Sequence, residues 1–297
     1  MMIKFSNSAR AARTSLVCGL MAAVGGLIAV QAQAATWSDT ALSWRYGTTF
    51  AEPFNNQPDG DRTDISKHII ALTHSSGYSY GTNFFNVDVL LSDNKDPADG
   101  VPGKSGAQEV YLVYRNTLDF GMATKKDLSF GPIKSFGLTG GFDLNTKNDF
   151  YASKKRMAVL GPTLMFDVPG FAQFSVLGLY ESNSPNSIDK RYTYDVHPAV
   201  ELDWGIPIGS LPLSFEGYAL WIADKGKNEF GGKTAPEFHI DTKLMYDIGS
   251  SIGLGKNALK VGAEYEYWRN KFGNSAGGAA GKGATASTPM IRAEYHF

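Results

Sequence analysis

The sequence predicts an all-β protein, namely a transmembrane antiparallel up-and-down β-barrel of twelve strands. Three observations lead to this prediction. Apolar and polar side chains alternate one by one over segments of about ten residues, which is the period of a β-strand and not of a helix. Charged residues recur on the polar face of nearly every such segment. The last segment ends on the aromatic residue Phe297.

The first 34 residues have the features of a secretory signal peptide. Three basic residues, Lys4, Arg10 and Arg13, precede an apolar run over 14–30, and no acidic residue lies near them. Ala32-Gln33-Ala34 follows the run as a small-x-small cleavage box. The rival interpretation is a retained transmembrane anchor. It is disfavoured because the run is short and the box follows it directly. We therefore expect cleavage after Ala34 and a single barrel domain over 35–297.

The composition of the mature chain excludes several functions. Without residues 1–34 the chain keeps 25 Lys and Arg against 29 Asp and Glu, a mildly acidic balance that argues against a nucleic-acid partner. Cys18, the only cysteine, lies in the signal, so neither a disulfide framework nor a thiolate metal site is expected. The histidines show no paired spacing and the Asp-rich segments do not match a calcium loop, so the sequence predicts no metal and no cofactor.

The strands are predicted from side-chain alternation along the chain. In the first, Leu42, Trp44 and Tyr46 share one face, while Ser43 and Arg45 lie on the other. Successive side chains of a strand point to opposite sides, so each segment has one apolar and one polar face. Clear alternation recurs over 40–49, 85–91, 109–115, 135–142, 195–203, 213–221, 238–244 and 259–267, with weaker segments at 67–73, 157–166, 171–180 and 290–297.

The connections alternate between long and short. Such alternation is typical of porin-type barrels, which have long external loops and short periplasmic turns. An even number of strands places both termini on the periplasmic side. The long, polar set comprises 51–62, 92–107, 145–155, 182–191, 224–235 and 270–287, and the tighter set includes 167–170 and 205–212.

A soluble sandwich has the same period, so further features are needed to separate it from a barrel in lipid. Charges recur on too many strands for one solvated sheet, and aromatic residues gather near strand ends as an interfacial girdle would. Tyr295-His296-Phe297 resembles the terminal signal that the outer-membrane insertion machinery reads. We therefore expect a barrel in the outer membrane of a Gram-negative bacterium, in contact with lipid and lipopolysaccharide.

A family resemblance rests mainly on DLSFGPIK at 127–134, which follows EVYLVYRNTLD at 109–119. This order resembles the Tsx/OmpK family of nucleoside-specific outer-membrane channels. MAVLGPTLMFDVP at 157–169 resembles the family's next hairpin. The resemblance implies a monomeric twelve-stranded barrel that imports nucleosides, and it implies a receptor role for phages or colicins, which some members have.

The alternation also predicts which side chains line the lumen. A nucleoside channel needs aromatic rings that stack on the base and polar groups that bind the sugar. We expect Tyr111, Tyr218 and Trp268 to stack bases, and the alternative for the charged residues is that they pair across the lumen and keep it wet. The expected sugar contacts are Asp88, Arg115, Glu216 and Glu264, and the wider lumenal set adds Arg45, Asp195, Glu201, Asp203, Asp241, Lys243 and Glu266.

Phe50 is a site residue that only the family resemblance suggests, as the aromatic near the end of the first strand. Thr49 stands before it, where the family usually has an arginine. By strict alternation Phe50 faces lipid unless the strand ends before it.

The predicted function is diffusion of small solutes, nucleosides above all, without catalysis. Two alternatives stay open. One is an unselective or structural barrel. The other is an outer-membrane lipid hydrolase, which would need a Ser–His pair at the rim. His197 and His239 point inward by the alternation, and no serine shares a motif with them.

Overall fold

The computed structural model of the chain describes residues 35–101 and 103–297. The predicted signal peptide, 1–34, lies outside the described residues. The chain forms twelve long strands and one strand of two residues. They are β1 (Trp37–Phe50), β2 (Ile65–Tyr78), β3 (Gly81–Ser92), β4 (Gln108–Asp119), β5 (Ile133–Lys147), β6 (Arg156–Phe166), β7 (Phe171–Asn183), β8 (Tyr192–Thr193), β9 (His197–Pro207), β10 (Leu213–Ile222), β11 (Glu237–Asp247), β12 (Leu259–Arg269) and β13 (Thr285–His296).

The twelve long strands close into a ring. Each pairs antiparallel with its neighbours in the chain, and β8 pairs only with the end of β7, outside the ring. The ring closes between β1 and β13, from the pair Ala41 and His296 to the pair Gly47 and Met290. The predicted all-β, twelve-stranded, antiparallel barrel is therefore confirmed. Among the described residues, closure leaves none of the twelve long strands with an unpaired edge, as lipid requires.

The two ends of the barrel differ. The loop end carries six connections, L1 to L6, most of them longer than those of the turn end. The turn end carries five connections and the two strand ends that lie at residues 37 and 296. At the turn end the backbone N–H of Phe297 donates to the carbonyl of Thr40 at 2.9 Å. L1 to L6 are 51–64, 93–107, 148–155, 184–196, 223–236 and 270–284, and the turn-end connections are 79–80, 120–132, 167–170, 208–212 and 248–258.

Two connections at the turn end, 120–132 and 248–258, are longer than the alternation of lengths suggests. The first contains the short helix α1 (Phe120–Thr124), which begins after Asp119. The Asp119 carboxylate accepts the backbone N–H groups of Gly121 and Met122 and so caps the helix. Within the described ranges, no helix is both long and apolar enough to span a bilayer.

The outer face of the barrel is apolar. Leu42, Leu160 and Ile291 are 51%, 59% and 57% exposed, and most of the other exposed large apolar side chains on strands also point outward. A soluble barrel would bury such residues, whereas this one presents them as a belt around its circumference. The inward face has most of the ionic residues, so the alternation predicted from the sequence has the orientation that a lipid-embedded barrel needs.

The inner wall also has patches without charge. Met157, Val159, Leu177 and Leu179 belong to a buried apolar cluster on β6 and β7. Beside it, hydroxyls form a ladder across four strands: Thr117 to Thr139 at 2.8 Å, Thr139 to Thr163 at 2.6 Å, and Thr163 to Ser175 at 2.8 Å. Charged side chains lie on the same strands nearer the loop end, among them Arg115, Asp143 and Glu181.

Candidate functional site: the barrel lumen

The structure places the predicted lumenal side chains on the inner wall, with one exception. Asp195 lies before β9 begins and is exposed, so its prediction as a lumenal residue is wrong. Asp195 precedes the first residue of β9 by two positions, where the alternation of a strand does not apply. The predicted residues that lie inward are Arg45, Asp88, Tyr111, Arg115, Glu201, Asp203, Glu216, Tyr218, Asp241, Lys243, Glu264, Glu266 and Trp268.

Ion pairs join inward residues on adjacent strands and on strands two apart. Arg45 on β1 donates to Asp88 on β3 at 2.6 Å, and its Nε lies 3.6 Å from Glu264 on β12. Arg292 on β13 reaches the other oxygen of Glu264 at 2.9 Å. Glu264 thus lies between two guanidinium groups, which compensates the cost of its burial. Of the expected sugar contacts, Asp88 and Glu264 are already paired within the protein.

A second set of contacts crosses the lumen from β4. Arg115 donates to Asp143 on β5 at 2.5 Å and lies 3.9 Å from Glu201 on β9. Tyr111 donates to the same Asp143 at 3.1 Å and accepts from Lys155 at 3.2 Å. The predicted Tyr111 and Arg115 therefore share one carboxylate. The Tyr111 hydroxyl is engaged, and the Lys155 ammonium lies 5.6 Å from its ring centroid.

A third group lies toward the turn end. Glu216 on β10 lies 3.2 Å from Lys243 and 3.4 Å from Lys260. Lys243 also pairs with Glu294 on β13 at 2.6 Å, and Glu294 lies 3.3 Å from His296. The predicted sugar contact Glu216 is thus held between two lysines.

Tyr218 and Trp268 meet in one aromatic stack. The His239 ring lies parallel to Trp268, with centroids 4.1 Å apart and planes 8° apart, and it meets Tyr218 edge-on at 5.1 Å. Phe272 of L6 packs edge-on against Trp268 at 4.8 Å. The Lys271 ammonium lies 4.8 Å from the Trp268 centroid. This stack provides aromatic surface at the inner wall. The third predicted stacking residue, Tyr111 on β4, is not part of it.

The loop end of the lumen is bridged by a cluster that we call the mouth network. Its centre is Glu52, at the start of L1, which folds inward and is 8% exposed. Its carboxylate lies 2.5 Å from Lys67 on β2, 3.5 Å from Lys271 in L6 and 3.8 Å from Lys147 on β5. Asp96 of L2 reaches Lys147 at 3.0 Å. Two loops therefore place carboxylates on lysines of the barrel wall.

The electrostatics of Glu52 follow from these contacts. Burial opposes ionisation, but the attraction of Lys147, Lys271 and Lys67 outweighs it and holds the pKa of Glu52 well below its ordinary value. Glu52 is therefore an anion at neutral pH, held by three cations from different elements. L1 is tied by this one side chain to two strands and to L6.

A second part of the mouth network joins L5 to the wall. Lys225 pairs with Glu181 on β7 at 2.9 Å and lies 3.6 Å from Glu237 on β11. Its ammonium also sits 4.6 Å from the ring centroid of Tyr194 in L4. Burial and the neighbouring Glu229 raise the pKa of Tyr194, which donates to that carboxylate at 2.9 Å. Loops L4 and L5 are therefore held to the barrel by charged and aromatic contacts.

Phe50 points inward, contrary to strict alternation. The β1–β2 register shifts between Gly47 and Phe50, and this bulge moves Phe50 to the inner wall. The ring is 2% exposed and packs with Ile65, Ile69 and Met290. Phe50 therefore lies beside the mouth network as part of an apolar cluster.

Sequence reasoning missed several ionic residues of the lumen. Arg292 and Glu294 lie on the last strand, where the alternation already placed even-numbered side chains inward. On β2 the odd-numbered side chains point inward, among them Lys67. Strand parity was therefore a sufficient signal for these three, whereas Lys147 lies in the segment 145–155 that was predicted to be a loop, although β5 extends to it. Glu52 in L1 had no such signal, because a loop has no period.

These features define a class of protein: a closed β-barrel with an apolar exterior and an ion-paired, partly aromatic interior. No protein-family model matches the chain, and no curated protein matches it. Solved structures that resemble it include the KdgM porin, at 10% identity over 86% of this chain and 99% of that chain with a TM-score of 0.40.

Two other solved structures have comparable similarity. The translocator domain of autotransporter NalP from Neisseria meningitidis is 11% identical over 98% of each chain, with a TM-score of 0.43. A BenF-like porin from Pseudomonas fluorescens Pf-5 is 10% identical over 88% of this chain and 97% of that chain, with a TM-score of 0.33. Identities and TM-scores this low carry no function over to this chain, and the resemblance to Tsx/OmpK channels stays a prediction.

Proposed function

We propose that this protein is an outer-membrane channel through which small polar solutes diffuse. The observation that carries the proposal is the sidedness of the closed barrel, with apolar side chains outward and ionic side chains inward on nearly every strand. An ionic interior favours water and polar solutes over lipid. The apolar belt fits the hydrocarbon layer of a membrane. The barrel would act as a monomer, inserted by the outer-membrane assembly machinery and surrounded by lipid and lipopolysaccharide.

Nucleosides are the solutes we propose first. The stack of Tyr218, His239 and Trp268 offers aromatic surface to a base. Asp203 and Asp241 are cross-strand partners of Tyr218, and their carboxyl groups can accept hydrogen bonds from ribose hydroxyls. Other lumenal carboxylates, such as Asp88 and Glu264, are already paired with arginines, so a solute would meet several weak sites instead of one tight site, which favours passage.

Liposome swelling with purified protein tests both the channel function and the preference for nucleosides over sugars. Adenosine is compared with a sugar of equal size, in vesicles containing the wild type, Trp268→Leu or the matched control Trp221→Leu, whose ring points outward. Loss of one stacking partner is expected to lower adenosine flux at low concentration about fivefold or more. Sugar flux in all three proteins and adenosine flux in the control should stay unchanged.

The outcomes separate the candidate functions. Equal rates for adenosine and sugar in the wild type would indicate an unselective pore. No flux of either solute would favour a structural barrel, a second candidate supported by the mouth network that bridges the loop end. Phospholipid hydrolysis by the purified protein, lost in His197→Ala, would instead indicate an enzyme.

A further inference from the structure

Four inward side chains stand next to each other on adjacent strands, and we call them the acidic row. Asp203 on β9 is the cross-strand partner of Tyr218 on β10. Tyr218 is in turn the partner of Asp241 on β11, and Asp241 is the partner of Glu266 on β12. The row has three carboxylates, and none of its members is a cation.

This arrangement is unfavourable without a positive partner. Like charges directly opposite on neighbouring strands repel, and Asp241 and Glu266 form such a pair. In the described part of the chain, neither Asp203 nor Asp241 has a Lys, Arg or His nitrogen within 4.0 Å of its carboxylate. Glu266 has only His239, at 3.6 Å.

Asp241 is the member with the most acidic surroundings. It is 8% exposed, and its carboxyl group is in hydrogen-bonding contact with the carboxyl group of Glu264. Asp203, by contrast, accepts a hydrogen bond from Gln173 at 3.1 Å. Buried carboxyl groups with no adjacent cation are costly, so the row attracts a cation that can enter the lumen.

The arginines of the lumen are committed elsewhere. Arg45 donates to Asp88, Arg115 to Asp143, and Arg292 to Glu264 and Glu294. Each of these guanidinium groups already has a carboxylate partner outside the row. Arg45 still attracts Asp241 and Glu266, and Arg115 attracts Asp203, but neither arginine lies within 4.0 Å of them, so the negative excess of the row is reduced and not removed.

Aromatic rings beside the row make it suitable for organic ammonium ions as well as for inorganic cations. Tyr218 belongs to the row, and it contacts the His239–Trp268 stack. Trp268 already accepts the Lys271 ammonium at 4.8 Å from its centroid. Lys271 lies 3.5 Å from Glu52 as well, so the wall already holds one ammonium group between an aromatic ring and a carboxylate, which makes ammonium ions chemically suitable ligands here.

We propose that the acidic row binds monovalent cations, both inorganic ions and organic ammonium ions, and that it makes the channel cation-selective. This inference rests on the proposed channel function and names its substrate class. A ring or row of Asp and Glu is the usual basis of cation selectivity in pores. The field of the row would at the same time disfavour phosphorylated and carboxylated solutes of the same size.

Reversal potentials in planar bilayers under a KCl gradient test the selectivity. The wild type is compared with Asp241→Asn/Glu266→Gln and with the control Asp59→Asn/Asp99→Asn, which removes the same charge from L1 and L2. The wild-type potential should lie toward the K⁺ equilibrium value. The lumenal double variant should lose roughly half of that displacement, while the control keeps it.

Several results would overturn the proposal. A wild-type potential at zero or toward the Cl⁻ value would do so, as would an equal loss in the two double variants. Heat-modifiable migration in gels, a sign of an intact barrel, shows that a changed potential does not come from misfolding.

A second measurement does not depend on conduction. Crystals of the wild type soaked in CsCl should show anomalous density beside Asp203, Asp241 and Glu266, and crystals of the lumenal double variant should show none there. No density in the wild type rejects the site. Bound Cs⁺ without any conductance would instead reject the channel function and keep the inferred site.

Discussion

The Glu52 carboxylate lies 2.5 Å from the ammonium nitrogen of Lys67, so L1 is tied to the inner wall of β2. Lys271 and Lys147 approach the same carboxylate from L6 and β5. A single loop residue therefore joins three separate elements across the loop end of the lumen. The first two predictions concern this residue.

Replacing Glu52 with Gln should loosen L1 and raise the conductance of the channel. The substitution keeps the shape of the side chain but leaves Lys67, Lys147 and Lys271 without their shared anion. Removing one partner of a buried ion pair costs about 3 kcal/mol or more, so the barrel should also become less stable. Single-channel conductance and urea unfolding in detergent measure the two effects.

Asp64→Asn is the matched control for this variant. Asp64 also lies near the end of L1 and pairs with Arg62 at 2.9 Å, but it is partly exposed, so its loss should change neither quantity by much. If Glu52→Gln lowers stability but leaves conductance at the wild-type value, Glu52 is a structural tie and L1 does not limit passage.

Acid should open the mouth only at low pH. Because the pKa of Glu52 is held well below its ordinary value, its ionised form contributes stability that is fully present above the unfolded-state pKa of about 4.3. That contribution is lost as the pH falls from there through the lower folded-state pKa. Conductance measured from neutral pH downward should therefore stay constant until the pH falls below about 4.

The same pH series on Glu52→Gln provides the comparison. This variant lacks the titrating group, so the acid transition attributed to Glu52 should be missing from it. A wild-type transition near neutral pH would show that another group controls the mouth.

Arginine on the outer belt should distinguish a lipid-embedded barrel from a soluble one. Leu160 points outward near the middle of β6 and is 59% exposed. In water, Leu160→Arg at such a position would be almost neutral. In a bilayer it should lower the free energy of unfolding by about 2–4 kcal/mol, since a charge would lie in hydrocarbon.

Leu254→Arg supplies the reference for that measurement. Leu254 lies in a turn-end connection and is 49% exposed, outside the strands. Both variants are unfolded with urea from lipid vesicles and, separately, in detergent. Equal stability of the two variants in vesicles would contradict the membrane position that we propose.

The strand interiors could be predicted from sequence because the side-chain period of a strand is two. A slip by one residue would turn a whole strand inside out, so Tyr218 on β10 and Glu264 on β12 were placed on the inner wall from parity alone. The same parity holds Leu160 outward. The strand count follows from this regularity, whereas the barrel in lipid and its sidedness also needed the recurring charges, the aromatic residues near strand ends and the terminal Phe297.

Prediction failed where that regularity ends. Asp195 lies two residues before β9, and Glu52 lies in a loop, so no period fixes either side chain. Pairing is also invisible in the sequence, because Arg45 meets Asp88 and Glu264 only after β1 has been placed between β2 and β13. The mouth network depends on such long-range contacts and therefore appears only in the structure.

The bulge that turns Phe50 inward gives the last prediction. A Cβ added to Gly47 would lie 2.7 Å from Thr288 Cγ2, 2.8 Å from Met290 Cγ and 3.1 Å from the Phe50 ring. Gly47→Ala should therefore force Phe50 and its neighbours apart and destabilise the barrel by about 1–3 kcal/mol. Gly140→Ala is the control, because its Cβ would approach only Leu160 Cδ1, at 3.6 Å, among side-chain atoms.

Both substitutions change the unfolded chain in the same way, so their difference reports the crowding at the bulge. Urea unfolding of the two variants in detergent measures it. If Gly47→Ala is as stable as Gly140→Ala, the inner wall near Phe50 can accommodate an extra methyl group. The tight packing of Phe50 beside the mouth would then not be a constraint on the fold.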